Sequence, residues 1–144
     1  MILYTIGFSG KSAEDFFTRL RNAGVYRILD IRLNPVGQLS GFAKARDLPY
    51  FLKTICAIDY SYLPSFAPPA ELLDGYRKKE INWPKYVQIY QRTLLERAAE
   101  SSISIERLGN SCLLCSEDKP IQCHRRLAAE YLSAFHPALA ITHL

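Results

Sequence analysis

The stretch Leu113-Leu114-Cys115-Ser116-Glu117-Asp118-Lys119-Pro120-Ile121-Gln122-Cys123-His124-Arg125-Arg126 runs from an apolar strand through a short acidic loop into the first turn of a helix. The same succession stands near residue 1. Ile2 to Phe8 read as a buried strand, Ser12 caps a helix reaching about Ala23, and Gly24 stops it. Phe16, Phe17, Leu20 and Ala23 fall at helical spacing on that segment. Farther out, Tyr26 to Ile31 form a second apolar run, a loop extends from Asn34-Pro35 through Gly41, and a helix is expected from about Asp47 to Ala57. Tyr60 to Leu63 supply a third strand. Pro64, Pro68 and Pro69 then break the chain before a polar helical stretch near Glu71 to Lys79, and Trp83-Pro84 open a longer helix with Val87, Tyr90, Leu94 and Ala98 along one face. Gly109-Asn110 close that segment ahead of the strand Cys112 to Ser116, the helix from about Gln122 to Phe135, and a last strand Ala138 to His143.

Strands alternating with helices predict an α/β fold: one domain over residues 1–144, a three-layer sandwich around a mostly parallel five-stranded sheet. The expected strand order is Rossmann-like, 3-2-1-4-5. Two short crossovers would build neighbours to one side of the first strand, and the long connection from residue 64 to 110 would let the chain return on the other side. That order puts a switch point between strands 1 and 4, where open α/β sheets bind ligands beyond the carboxyl ends of their strands.

Composition agrees with a globular chain: 49% hydrophobic and 22% charged residues are enough to build a core without disulfides or a metal. A net charge of +4 with pI near 8.9 favours anionic ligands mildly and falls short of a nucleic-acid footprint. The N-terminal residues lack a basic n-region and an export cleavage site, and no apolar run approaches the ~18 residues of a membrane span. A soluble protein with no membrane partner is expected. The cysteines do not read as a secreted disulfide framework, so a reducing, cytoplasmic location is expected too.

Three motifs should meet at the switch point. The first is the turn Gly7-Phe8-Ser9-Gly10-Lys11-Ser12, which is too short for a Walker A loop because Thr5 stands where the first glycine belongs. Gly7, Ser9 and Lys11 could still hold one phosphate or carboxylate on backbone N–H groups and an ammonium. The second is Asp30-Ile31-Arg32, whose period-two alternation sends Asp30 and Arg32 to one side, as an ion pair or an anion clamp. The third joins Glu117 with Cys123, His124 and Arg125. A thiol at a helix start, beside imidazole and guanidinium, is expected to lose its proton easily, with a lowered pKa.

Other chemistry can be weighed from spacing. Zinc is disfavoured, because Cys112 and Cys115 are an odd number of positions apart on a strand and so face opposite sides of the sheet. No cofactor fingerprint is present: the first turn lacks G-x-G-x-x-G, and no iron–sulfur or haem spacing occurs. The basic and aromatic interleaving from Phe42 to Lys53, with Arg77, Lys78 and Lys79, could instead contact a phosphate backbone and stack bases. The tyrosines and the proline-rich segment Leu63 to Pro69 leave room for a homodimer face.

These fragments together resemble the domain of unknown function (DUF) 488 family. The resemblance rests on Tyr4-Thr5-Ile6-Gly7 with Ser9 and Gly10-Lys11-Ser12, Leu29 to Pro35, Gly41-Phe42 before Leu48, Tyr60 to Pro64, Trp83 with Tyr86, and Leu113-Leu114-Cys115 with Glu117 and Cys123-His124-Arg125. It implies an α/β domain with a charged cleft made by the three motifs. The family's name concedes that its activity is not established, and some relatives carry DNA-repair labels. Two departures stand out: Phe8 occupies a position where many relatives have His or Tyr, and Phe66-Ala67-Pro68 replaces a glycine-bearing turn.

The expected function is that of a small enzyme or enzyme-like protein acting on an anionic, phosphate-bearing or nucleotide-like substrate. Cys123 would be the nucleophile, Glu117 the proton donor or acceptor and His124 an orienting group, while Arg32, Arg125 and Lys11 hold the anion and Asp30 positions Arg32. A nucleic-acid-binding or repair-associated module and a non-catalytic ligand sensor are the alternatives.

Overall fold

Gly24 sits at φ 72°, the left-handed conformation that lets its N–H turn back onto Leu20 and Arg21 carbonyls and end the first helix. At the other end of that helix, the Ser12 hydroxyl accepts from the Asp15 N–H. Such local signals divide the chain where the sequence reading expects. The computed structural model describes residues 1–36 and 41–144; positions 37–40 of the expected loop lie outside them. The strands are β1 (Ile2–Gly7), β2 (Arg27–Asp30), β3 (Asp59–Tyr62), β4 (Ser111–Cys115) and β5 (Ala140–His143). The helices are α1 (Ala13–Ala23), α2 (Leu48–Cys56), α3 (Ala70–Arg77), α4 (Trp83–Glu96), the single turn α5 (Ile105–Leu108) and α6 (His124–Phe135).

All five strands are parallel, and their order is 3-2-4-1-5 rather than 3-2-1-4-5. The correction has a physical cause. Every residue of β4 is buried, whereas β1 leaves Ile2 exposed and Tyr4 partly so, which suits β4 to the centre of the sheet and β1 to the place beside the exposed edge strand β5. The β1-to-β2 crossover therefore skips one position, which β4 later fills between them. β4 leads into α6 on one face, while both of its neighbours lead into helices on the other. The carboxyl end of β4 is thus flanked by a change of direction on each side.

Alternation along the strands feeds two cores. Ile6, Ile28, Cys112 and Leu114 pack with Phe16, Phe17 and Leu20 of α1 and Leu48 and Leu52 of α2. Leu3, Leu29 and Leu113 pack on the opposite face with Leu72 of α3, Tyr90 and Leu94 of α4, and Leu127 and Leu132 of α6. This is the three-layer arrangement expected from the pattern. Phe42 and Phe51, two rings of the basic–aromatic stretch, pack edge-on against Phe17 and serve the α1–α2 layer. Among the described residues, no helix is long and apolar enough to cross a membrane.

Candidate functional site

β2 ends in a buried charge, and the next residues are arranged around it. The Asp30 carboxylate is fully buried and accepts from Arg32 Nε at 2.9 Å, Arg32 Nη2 at 2.7 Å, the Arg32 backbone N–H at 3.1 Å and the Tyr60 hydroxyl at 2.6 Å. This is the fork-to-fork geometry in which a planar guanidinium matches a carboxylate. The guanidinium also lies over the Phe8 ring, 5.4 Å from its centroid. Arg32 is 2% exposed, and its remaining nitrogen, Nη1, is buried with no hydrogen-bond partner among the described residues. A buried donor left unmade costs about 1–3 kcal/mol, so this nitrogen is poised for an acceptor.

The last residue of β4 and the N-cap of α6 bring two sulfurs together. Cys115 Sγ and Cys123 Sγ are 2.8 Å apart, and Cys123 Sγ also accepts from the Arg125 N–H at 3.4 Å. The two sulfurs are unequal acids. Burial raises the Cys115 thiol, but the hydrogen bond from Cys123 and the charge of Arg125 more than offset it, so Cys115 lies below the ordinary thiol value. Cys123 is pushed well up, first by its hydrogen bond to Cys115 and then by burial. The expected low-pKa thiol is therefore Cys115 rather than Cys123, because Cys115 receives the S–H of its neighbour and the guanidinium together.

Arg125, fully buried, points back at the sheet. It donates to Thr5 Oγ1 at 3.2 Å, to Cys115 Sγ at 3.6 Å, to the Asp118 carbonyl at 3.0 Å and to the Glu117 carbonyl. It thereby straps the 116–118 loop to the ends of β1 and β4. The first motif belongs to the same strap: the Ser9 N–H donates to the Ser116 carbonyl at 3.0 Å, and Lys11 pairs with Asp118 at 2.8 Å. Gly7 is placed by close approach, since a Cβ there would overlap the Glu117 carbonyl.

A cavity of about 570 Å³ opens beside these groups, a size suited to a small-molecule ligand. Arg32, Glu117, Cys123 and His124 line it, and Asp30 supports it from behind Arg32. Arg125, Lys11, Ser9 and Gly7 are not among its lining residues. Its far wall is aromatic and was not anticipated. Trp83 and Tyr86 stack with centroids 5.2 Å apart at 15°, and Tyr76 meets both rings at 5.7 and 5.2 Å. The available signal was the i, i+3 spacing of Trp83 and Tyr86 on an amphipathic helix.

His124 bridges the second and third motifs. Its Nε2 lies 3.0 Å from the Ile31 carbonyl; a carbonyl only accepts, so Nε2 carries the proton and Nδ1 is bare. Burial, helped by the Arg125 charge, lowers its pKa to about 4, against the opposing pull of Ile31 and Asp30. The neutral ring is then favoured by folding, with a contribution present in full above pH 6.5 and lost as pH falls toward 4, worth up to about 3 kcal/mol. Urea unfolding of the wild type is expected to weaken by that amount between pH 7 and 4, whereas His124→Gln, which keeps an N–H for Ile31, flattens the slope. Equal slopes in the two proteins would contradict this assignment.

Cys115, Cys123 and His124 also form the one soft-donor cluster found among the described residues, with ligand atoms within 4.8 Å of one another. Cys112 packs on the opposite face, as its spacing predicts. Two thiolates on one tetrahedral zinc at about 2.3 Å would stand roughly 3.8 Å apart, about 1 Å farther than the 2.8 Å between these sulfurs.

No curated protein and no solved structure matches this chain. A family model does match, covering residues 12–132 and so including β2, the aromatic wall, β4 and the Cys123-His124-Arg125 turn. The chain belongs to the family described as domain of unknown function DUF488.

Proposed function

We propose that the cavity binds a small anionic molecule carrying a flat ring, nucleotide-like in its chemistry, and that the protein acts on it as an enzyme through Cys123. The observation that carries this reading is Arg32 Nη1, a buried guanidinium nitrogen with no partner among the described residues, on a residue lining the cavity. A phosphate or carboxylate oxygen is its natural acceptor. The Trp83–Tyr86 stack supplies the complementary apolar face for a ring. Cys115, beside the Arg125 guanidinium, is the proton acceptor of the pair; Cys123 attacks as the thiolate once its proton has crossed 2.8 Å to Cys115, which is then neutral. Glu117 serves as proton donor or acceptor at the cavity edge, His124 stays neutral and holds the Ile31 turn, and Arg125 with Lys11 position the loop that carries Glu117.

Trp83 is the chain's single tryptophan, so the cavity has its own fluorescent reporter. Titration with nucleoside monophosphates is expected to quench it saturably and to shield Cys123 from iodoacetamide. Inorganic phosphate and unphosphorylated nucleosides should bind at least about tenfold more weakly, since each lacks one half of the recognition and a charged hydrogen bond is worth about 1.5–3 kcal/mol. Unchanged fluorescence and unprotected Cys123 at millimolar nucleotide would sink the reading.

A further inference from the structure

We propose that Cys115 and Cys123 are a redox-active dithiol, closed to an intramolecular disulfide by hydroperoxides and reopened by small dithiols. Their sulfurs stand 2.8 Å apart, so less than about 1 Å of approach separates them from the ~2.05 Å of a disulfide bond. Both residues are buried, one on a strand end and the other at a helix N-cap, joined by a loop that Arg125 holds in place. The remaining cysteines lie elsewhere: the Cys56 thiol donates to the Phe17 carbonyl, and Cys112 packs in the opposite core.

The two sulfurs are unequal in access. Cys123 lines the cavity, whereas Cys115 lies behind it, against Arg125. Cys123 is therefore the thiol that meets the oxidant, and Cys115 resolves. In the first step the Cys123 proton passes to Cys115; the Cys123 thiolate attacks one peroxide oxygen, the O–O bond breaks, and hydroxide leaves with Cys123 as a sulfenic acid. In the second step Cys115 gives its proton to that hydroxide, making water, and its thiolate attacks the Cys123 sulfur. The S–O bond breaks, and the departing hydroxide takes a proton from solvent to become the second water. With the proton lost from the pair beforehand counted, two thiols and one hydrogen peroxide become one disulfide and two waters; the two electrons come from the sulfurs. A dithiol reverses the change by exchange, leaving as its own cyclic disulfide.

The consequence for the cavity is direct. Closure removes the thiol facing it and draws the α6 N-cap toward β4, so the oxidised protein is expected to lose any chemistry that depends on Cys123. The dithiol itself does not depend on which ligand the cavity takes.

The test treats the full chain with stoichiometric hydrogen peroxide, blocks remaining thiols with iodoacetamide and maps the peptides without reduction. Cleavage after Glu117 leaves Cys115 and Cys123 on separate peptides joined only by the bridge. The expected result is a Cys115–Cys123 link with Cys56 and Cys112 alkylated, formed at least about tenfold faster than Cys56 is lost, and reversed by dithiothreitol. In Cys115→Ser the expected product is a Cys123 sulfenic acid, trapped by dimedone. The proposal is overturned by sulfenic acid accumulating on wild-type Cys123 as it does in Cys115→Ser, or by both thiols surviving the peroxide. Stoichiometric zinc in the purified protein shielding both thiols would overturn it as well, in favour of a metal site. Should Cys115→Ser fail to fold, the wild-type peptide map decides alone.

Discussion

Asp30→Ala is expected to destabilise the protein by about 3–5 kcal/mol and to abolish ligand binding in the cavity. The Asp30 carboxylate is fully buried and accepts four hydrogen bonds, three of them from Arg32 and one from Tyr60. Removing it leaves a guanidinium that is 2% exposed with no countercharge, and the desolvation cost of that cation is then uncompensated. The Tyr60 hydroxyl, whose proton is held tightly by burial and by this carboxylate, loses its acceptor as well. Arg32→Met combined with Asp30→Ala removes both charges, and the double variant is expected to recover a large part of the loss. Urea unfolding of the two proteins checks the claim: a double variant no more stable than Asp30→Ala would show that the stranded charge is not the cause. Neither variant should quench Trp83 on addition of nucleotide, because the Nη1 donor is misplaced in one and absent in the other.

Asp30 and Arg32 were legible because a strand alternates with period two, which puts residues i and i+2 on one side whatever the fold. The alternation of strands and helices was legible for a similar reason: Ser12 and Gly24 are capping residues acting on their own local backbone. Strand order is not a local property. β1 and β4 are both apolar enough for the sheet interior, and only the complete burial of β4, against the exposed Ile2 of β1, marks β4 as the central one. At the helix start, the sequence placed Cys123, His124 and Arg125 together but could not divide their tasks. Successive helical residues differ in direction by about 100°, so Cys123 and His124 line the cavity while Arg125 turns back onto β1 and the 116–118 loop. The pairing of Cys115 with Cys123 is not legible, because it spans a loop and carries no periodicity. The aromatic wall was hidden in the long connection, where Trp83 and Tyr86 looked like the ordinary apolar face of a helix.

Gly7→Ala is expected to cost about 4 kcal/mol, the sum of overpacking against backbone and the weakening of a charged hydrogen bond. Gly7 ends β1 opposite Cys115 of β4, and a Cβ added there would overlap the Glu117 carbonyl and run into the Arg125 guanidinium that donates to it. The loop cannot simply back away, because the Ser9 N–H holds the adjoining Ser116 carbonyl at 3.0 Å and Lys11 holds Asp118 at 2.8 Å. Gly10 provides the contrast: it sits at φ 74° with open space around it, so Gly10→Ala carries only backbone strain, about 1 kcal/mol. Thermal unfolding of the two variants separates a glycine needed for close approach from one needed for a turn. If Gly7→Ala melts within a degree or two of Gly10→Ala, the Arg125 strap has slack, and Glu117 is not held at the cavity edge by the packing described. If instead Gly7→Ala is several-fold more costly, displacement of Arg125 should also loosen its bond to Cys115, and disulfide closure with Cys123 should slow in the same variant.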